Sequence, residues 1–246
     1  MGAKVRVVIA VLLSGFGAAI PASAGTIFSD GTFNLGNYSA GPDFSSSPSQ
    51  GNVTFAQCPA CGDPGSALQF TSASNGTESG TLSLAQALVN TGFSYDPLVQ
   101  GVITSFSTSA LKNISVNLTG TGFGNTYHPV IEQDGTYYVA SIPGATFSGP
   151  GGPEYQSFSG NLTASSFDNY DFMTGIMGSL NPNFGGDTML FGLAQISGLT
   201  APNETLITQY DNLNFAINVP EPFTLSLFGA GLAGAVAMRR RKKAKA

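Results

Sequence analysis

The chain has only two cysteines, and they lie three residues apart in Cys58-Pro59-Ala60-Cys61. A structural metal site takes about four ligands, and the one side chain of similar chemistry elsewhere is His128. A thioredoxin-type redox pair lies where a strand meets a helix in a βαβ unit, and the sequence shows no such unit. We therefore predict a local disulfide between Cys58 and Cys61, which an oxidising compartment would permit.

Catalytic side chains are not evident from type and spacing. His128 is the single histidine of the chain, and no nucleophile-elbow motif accompanies it. Two carboxylates can hydrolyse glycosides, and Asp168 with Asp171, or Glu132 with Asp134, lie close along the chain. Spacing along the chain does not show whether two carboxylates flank a substrate. The sequence therefore predicts no catalytic residues.

Two kinds of ligand site can be predicted from residue type. Asp211 stands at the start of the last alternating segment, where it could bind a structural calcium ion together with a loop acid such as Asp30 or Asp43. Sugar recognition uses flat aromatic side chains with a few polar groups, and the chain has eight tyrosines but no tryptophan. Tyr137 and Tyr138 are adjacent, so in a strand their rings face opposite sides and one of them stays outside the core. We predict that the outward tyrosine contacts a ligand.

The distribution of charge excludes some partners. Thirteen of the fourteen acidic residues lie between Gly25 and Asn218, whereas Lys112 is the only lysine or arginine in that stretch. Thirteen negative charges and one positive charge give this part a net charge of −12. Such a surface repels nucleic acid and disfavours adhesion to anionic lipid. Neutral glycans, cations or cationic surfaces are better partners.

Short alternating segments between turn signals predict an all-β ectodomain from residue 25 to residue 218. Asp134-Gly135 separates two such segments and is a preferred dipeptide of two-residue hairpins. The predicted strands are Ile114–Leu118, Val130–Gln133, Thr136–Ala140, Leu213–Val219, Val53–Gln57, Ala67–Thr71, Val99–Thr108, Tyr155–Leu162 and Met189–Ile196. Ser83–Asn90 is the one stretch predicted to be a short helix. About ten strands in one domain favour an antiparallel two-sheet sandwich of the jelly-roll type.

The N-terminal segment from Met1 to Ala24 predicts a secretory signal peptide. Lys4 and Arg6 precede an apolar stretch, and Ala22-Ser23-Ala24 supplies the small residues that signal peptidase requires. We therefore expect signal peptidase to cleave after Ala24.

The C-terminal tail from Val219 to Ala246 combines three physically different segments. Val219-Pro220-Glu221-Pro222 is stiff, because each proline fixes φ and lacks an N–H donor. An apolar segment from residue 223 to residue 238 follows, about 24 Å long as a helix against a hydrocarbon core of roughly 30 Å. The cations after it, which begin with Arg239, Arg240 and Arg241, favour the cytoplasmic side of a membrane. The sequence therefore predicts a short transmembrane helix with the ectodomain on the far side of the inner membrane.

This tail resembles the PEP-CTERM sorting signal, which exosortase enzymes recognise in bacteria that make extracellular polysaccharide. The resemblance implies that Val219, Pro220, Glu221 and Pro222 form the recognition motif, and that the helix and basic residues are removed during sorting. The alternative is a permanent C-terminal membrane anchor. The ending Tyr210-Asp211-Asn212-Leu213 also resembles jelly-roll ectodomains of the carbohydrate-module type.

These features favour one function over another. The sequence predicts a non-enzymatic cell-surface or matrix protein that associates with extracellular polysaccharide and crosses the inner membrane during export. It predicts no cofactor apart from the calcium ion considered for Asp211. The alternative is a secreted carbohydrate-active enzyme with an acidic active site.

Overall fold

The computed structural model describes residues 24–47, 51–75, 82–117, 123–142, 146–148, 156–200 and 202–219. These residues form fourteen strands and one helical turn, in the order β1 (Ala24–Asp30), β2 (Tyr38–Ser45), β3 (Gly51–Gly62), β4 (Gly65–Ser74), β5 (Leu82–Tyr95), α1 (Pro97–Gln100), β6 (Ser105–Asn117), β7 (Phe123–Gln133), β8 (Thr136–Ala140), β9 (Thr146–Ser148), β10 (Gln156–Leu162), β11 (Phe167–Asp171), β12 (Ile176–Met177), β13 (Met189–Leu199) and β14 (Thr205–Val219). Short 3-10 turns precede β2 and β11.

The strands build two antiparallel sheets that pack face to face. The first has the order β10-β6-β14-β4-β3, with β1 also paired to β14. The second has the order β12-β11-β8-β7-β13-β5-β2, with β9 paired to β7. The predicted antiparallel two-sheet sandwich is confirmed. The transmembrane helix predicted for residues 223–238 lies outside the described residues, and within them no helix is long and apolar enough to cross a membrane.

Strand β14 occupies the middle of the six-stranded sheet. One side of it pairs along its length with β6, and its other side pairs first with β4 and then with β1. The last pair of the β1–β14 ladder joins Ala24 to Val219. The position predicted for signal cleavage and the first residue of the predicted recognition motif are therefore direct neighbours.

Aromatic rings from both sheets fill the centre of the sandwich. Phe106 lies on β6 and is fully buried. Its ring centroid lies 5.4 Å from that of Phe167, 5.7 Å from Phe191, 6.1 Å from Phe215 and 6.2 Å from Phe184. Rings at these separations attract one another beyond the area that they bury, so Phe106 links the two sheets.

Two element predictions were wrong. Ser83–Asn90 is not a helix but part of β5, in which every residue from Leu84 to Asn90 is buried. A strand covered on both faces shows a continuous apolar run instead of alternation, and such a run is easily taken for a buried helix. Val99–Thr108 is a strand only from Ser105 onward, because Pro97–Gln100 form a helical turn that Asp96 caps.

Candidate functional site

The eight-stranded sheet carries a second apolar layer on the face that points away from the central core. On β5, Leu84 and Leu88 belong to the central core, whereas the alternate residues point to the opposite face. We call this second layer the outer cluster; its buried members are Ala85, Ala87, Val89, Val130, Val139, Tyr170, Phe172 and Ala194. Most of its floor consists of small residues, which leaves room for larger side chains to lie across it.

Strands from the two sides of this face approach each other over the small residues. In the sheet order, β8 and β2 are separated by three strands, which would place them about 19 Å apart in a flat sheet. However, a Cβ atom added to Gly41 on β2 would lie only 2.9 Å from the ring of Tyr137 on β8. Strand β2 also breaks its register with β5 between Ala40 and Asp43. The outer face is therefore concave, and Tyr137 reaches across it.

A hairpin formed by β11, β12 and their turn covers part of the concave face. Gly175 in its turn has a φ of +70° and lies so close to the Phe44 ring that a larger side chain would not fit. The Asp171 carboxylate holds the turn, because it accepts hydrogen bonds from the Met173 N–H at 2.8 Å and from the Thr174 hydroxyl at 2.7 Å. The hairpin is thus fixed against β2.

A pocket of about 250 Å³ remains between the hairpin, β8 and β2. Its lining consists of Pro42, Gly135, Thr136, Tyr137, Asn169, Tyr170, Asp171, Phe172 and Met173. Phe172 packs edge-on against Tyr137 with ring centroids 5.6 Å apart, and Tyr170 lies 4.5 Å from Phe172 in the same way. Sites for drug-sized ligands begin at roughly 300 Å³, so this slightly smaller pocket suits a single small unit of a longer molecule.

The charges in the pocket favour binding over proton transfer. Burial and the nearby Glu132 raise the pKa of the Tyr137 phenol, and burial and Asp171 raise that of Tyr170, so both remain donors at neutral pH. The hydrogen bonds from the Thr174 hydroxyl and from the Met173 N–H lower the pKa of Asp171. Among the described residues that line the pocket, Asp171 has the one carboxylate, and it is ionised. This arrangement offers hydroxyl groups and aromatic surface without an acid.

The sequence identified Tyr137 or Tyr138 as a candidate ligand contact, but it did not show which other side chains surround the pocket. Tyr137 faces the pocket, whereas Tyr138 packs against the central core. Tyr170 and Phe172 were missed, although their spacing of two residues puts both rings on one face of an extended segment. Pro42 joins them from a strand far away in the sequence, which no local pattern could have shown.

The acids considered as possible carboxylate pairs from their spacing lie apart from a common site, whereas Asp134 neighbours another carboxyl group. Asp168 is exposed on β11, and Asp171 is bound within its own turn. Asp134, in the β7–β8 turn, lies close enough to Asp187 for a hydrogen bond, and that neighbouring carboxyl group raises the pKa of Asp134. Asp134 directly precedes Gly135 of the pocket.

His128 and Lys112 are both buried, and neither lines the pocket. The His128 Nδ1 atom is 3.0 Å from the Ala140 carbonyl oxygen, and burial lowers the pKa of the imidazole to about 4. The Lys112 side chain is fully buried; its Nζ donates to the Asn125 carbonyl oxygen at 3.5 Å and lies 5.7 Å from the centroid of the Tyr210 ring. Burial lowers the pKa of Lys112 to about 7.

Asp211 is buried at a bulge of β14, and its carboxylate accepts hydrogen bonds from backbone N–H groups. Its two carboxylate oxygens accept hydrogen bonds from the Asp63 N–H at 2.6 Å and from the Asn212 N–H at 2.7 Å. The Asp30 carboxylate accepts hydrogen bonds from the N–H groups of Thr32 and Phe33 in the turn after β1, and Asp43 is exposed on β2. Within the part of the chain that the structure describes, no three His, Cys, Asp or Glu side chains converge. Calcium binding at Asp211 stays a prediction.

Cys58 and Cys61 lie near the end of β3, where its pairing with β4 is interrupted. The structure joins them in a disulfide with Cα atoms 5.4 Å apart. The redox state of the pair in the cell stays a prediction.

The end of the sandwich at Val219 leads directly into the C-terminal tail. Residues 218–242 match the family model of the PEP-CTERM protein-sorting motif. The chain carries a PEP-CTERM sorting motif. This motif marks an exported protein of the kind that exosortase-type enzymes process, with a destination at the cell surface or outside the cell. Pro220, Glu221 and Pro222 lie in the matched range but outside the described residues, as do Arg239, Arg240 and Arg241; Ala22 is likewise outside them.

Solved structures with a similar arrangement include carbohydrate-binding modules. One is a family 11 module from Clostridium thermocellum in complex with a β-1,3-1,4-mixed-linked tetrasaccharide. Its sequence is 11% identical and the TM-score is 0.37; the match covers 81% of this chain and 97% of the module. The xylan-binding CBM22-1 domain of Paenibacillus barcinonensis Xyn10C is 12% identical with a TM-score of 0.35, and the match covers 80% of this chain and 98% of that domain. No curated protein matches it.

Proposed function

We propose that the protein is an exported, non-enzymatic surface or matrix protein whose Tyr137 pocket binds one sugar unit of an extracellular polysaccharide. The observation that carries the proposal is the pocket itself. Tyr137 and Tyr170 supply protonated phenols beside Phe172, and the one carboxylate is committed to its turn. Aromatic rings with a few fixed polar groups are what a sugar requires.

Replacing Tyr137 with alanine is expected to weaken binding to the producer's own polysaccharide at least tenfold, because a central aromatic contact in a pocket contributes most of its affinity. Binding is measured by sedimentation with the insoluble polysaccharide. Met177→Ala is the matched control, because Met177 is exposed on the same hairpin outside the pocket lining. Equal binding by Tyr137→Ala and Met177→Ala, with unchanged melting temperatures, would exclude this pocket as the sugar site.

Hydrolysis of the polysaccharide is the second candidate function, and the carboxyl group of Asp187 beside that of Asp134, next to Gly135 of the pocket, is the observation that favours it. A carboxyl group with a raised pKa beside a pocket can act as a general acid. Release of reducing ends by the wild-type chain, lost in Asp134→Asn or Asp187→Asn, would replace the binding proposal with an enzymatic one. Binding without turnover supports the binding role.

Processing at both ends is part of the proposal. We expect signal peptidase to remove residues 1–24 and an exosortase-type enzyme to cut near Pro220–Pro222, after passage through the inner membrane. Mass spectrometry of the terminal peptides from surface and medium fractions tests this directly. Mature protein that still contains Arg239, Arg240 and Arg241 would instead identify the tail as a permanent anchor.

A further inference from the structure

Three aliphatic side chains are exposed in the connection between β5 and β6. The exposed fractions of Leu98, Val99 and Val102 are 74%, 80% and 54%. We call residues 97–102 the apolar loop. Scattered surface aliphatics need no explanation, but these three lie close together along one short connection.

The apolar loop is fixed rather than loosely extended. The Asp96 carboxylate accepts the Leu98 N–H at 2.9 Å, and the Tyr95 hydroxyl donates to the Gly101 carbonyl oxygen at 2.9 Å. The next residue, Ile103, is buried and donates its N–H to the Phe184 carbonyl oxygen at 3.0 Å. The fold therefore holds the three side chains outward.

The loop lies at the end of the sandwich where the sorting motif begins. A Cβ atom added to Gly101 would be 2.7 Å from Cγ1 of Val219, so the loop backbone packs directly on the last residue of β14. Both the N–H and the hydroxyl of Thr104 donate to the Asn218 carbonyl oxygen at 3.0 Å. The loop and the end of β14 thus form one surface.

The length of the tether limits how far this surface can lie from a membrane. Only residues 220–222 separate Val219 from the apolar segment that begins at Phe223. The chain from Val219 to Phe223 spans at most about 14 Å, and about 12 Å in the extended form that prolines favour. The headgroup layer on each side of a bilayer is itself about 5–8 Å thick. While the apolar segment is in the bilayer, the end of the sandwich must therefore lie at the lipid surface.

We propose that Leu98, Val99 and Val102 dock into the headgroup region of the bilayer in which the uncut tail sits. This inference rests on membrane insertion of residues 223–238 and not on sugar binding by the pocket. The net negative charge of the ectodomain disfavours contact with anionic lipid, so the loop is expected to contact neutral lipid. The three side chains have about ten aliphatic carbons, fewer than a myristoyl chain, whose membrane binding is only marginal and reversible. Docking therefore depends on the tether, and removal of the tail frees the domain.

The test places a fluorophore on the loop of the full chain in phosphatidylcholine vesicles. The structure joins both native cysteines in a disulfide, so under oxidising conditions a thiol-reactive label is directed to Val99→Cys, and the wild-type chain serves as the labelling control. Asn75→Cys is the matched control, because Asn75 is also exposed but lies at the opposite end of the sandwich. It directly follows β4, in which Ala73 pairs with Thr205, the first residue of β14. The length of β14 as an extended strand places the two ends about 48 Å apart.

Headgroup-labelled quencher lipid is expected to quench the label at position 99 at least threefold more than the label at position 75. Leu98→Ser with Val102→Ser should reduce that difference. Equal quenching at both positions overturns the proposal, as does failure of the full chain to sediment with the vesicles. In a separate sample, unlabelled Val99→Cys is exposed to air oxidation with the vesicles; a disulfide that joins two copies through position 99 overturns the proposal in favour of a second copy of the chain. Polysaccharide binding by the same samples reports separately on the pocket.

Discussion

Raising the pH from 7 to 9 is expected to increase the free energy of unfolding, and Lys112 is the reason. Burial lowers the pKa of this amine from 10.5 to about 7 in the folded protein. Between these two values the unfolded chain binds a proton that the folded chain does not, so stability rises with pH. The slope approaches about 1.4 kcal/mol per pH unit, which gives an increase on the order of 2–3 kcal/mol over the interval.

Urea unfolding at pH 7, 8 and 9 of the wild type and of Lys112→Met measures this effect. Methionine fills a similar volume without a titrating group, so the variant should lack the rise. Measurements stop at pH 9 because burial raises the pKa of Tyr127 and Tyr210 in the folded protein. Tyrosines of the unfolded chain would then lose protons first and lower the stability above pH 10. The same pH dependence in both proteins would assign the rise to another group.

Replacing Phe106 with alanine is expected to lower the free energy of unfolding by about 3–5 kcal/mol. The substitution removes a fully buried ring that contacts four other aromatic rings from both sheets. Because those rings come from three strands and from the segment between β12 and β13, the cavity cannot close by the movement of one side chain. Denaturant unfolding monitored by circular dichroism gives the difference from the shift of the midpoint.

Ile27→Ala provides the comparison for this substitution. Ile27 is also a large apolar residue on a strand, but 66% of its surface is exposed. Its removal should change the free energy of unfolding by no more than about 0.5 kcal/mol. A loss of less than about 1.5 kcal/mol in Phe106→Ala would show that the centre of the sandwich can repack.

The fold was predictable from the sequence where one face of a strand is buried and the other face is exposed to solvent. Strand β14 alternates strictly at its end, and Asp134-Gly135 forms the expected turn with φ values of +52° and +74°. The prediction failed at β5, where the outer cluster buries the second face as well and removes the alternation. A two-sided apolar strand has no period that separates it from a helix.

The candidate site was predictable only in part for a related reason. Adjacent tyrosines in a strand must diverge, which identified Tyr137 or Tyr138 as outward, but which of them depends on the register of β8. The burial of Lys112, in contrast, could have been inferred from the sequence. Lys112 lies an even number of residues from Phe106, Ala110 and Ile114, so its side chain points to the same inner face of β6. The pocket walls come from β2 and β11, whose meeting depends on the curvature of the whole sheet.

The central position of β14 sets an order on folding during export. In the export that we propose, the chain crosses the inner membrane from its N-terminus, so β14 is the last strand to emerge. Before it arrives, β3 can pair with β4 and β6 with β10, but in the described structure β1 pairs with β14 alone, and the Ala24–Val219 pair joins opposite ends of the ectodomain. Contacts this distant in sequence form slowly because they close very long loops. The six-stranded sheet can therefore close only when translocation is nearly complete, whereas the strands of the eight-stranded sheet all emerge before β14 and can pair without it.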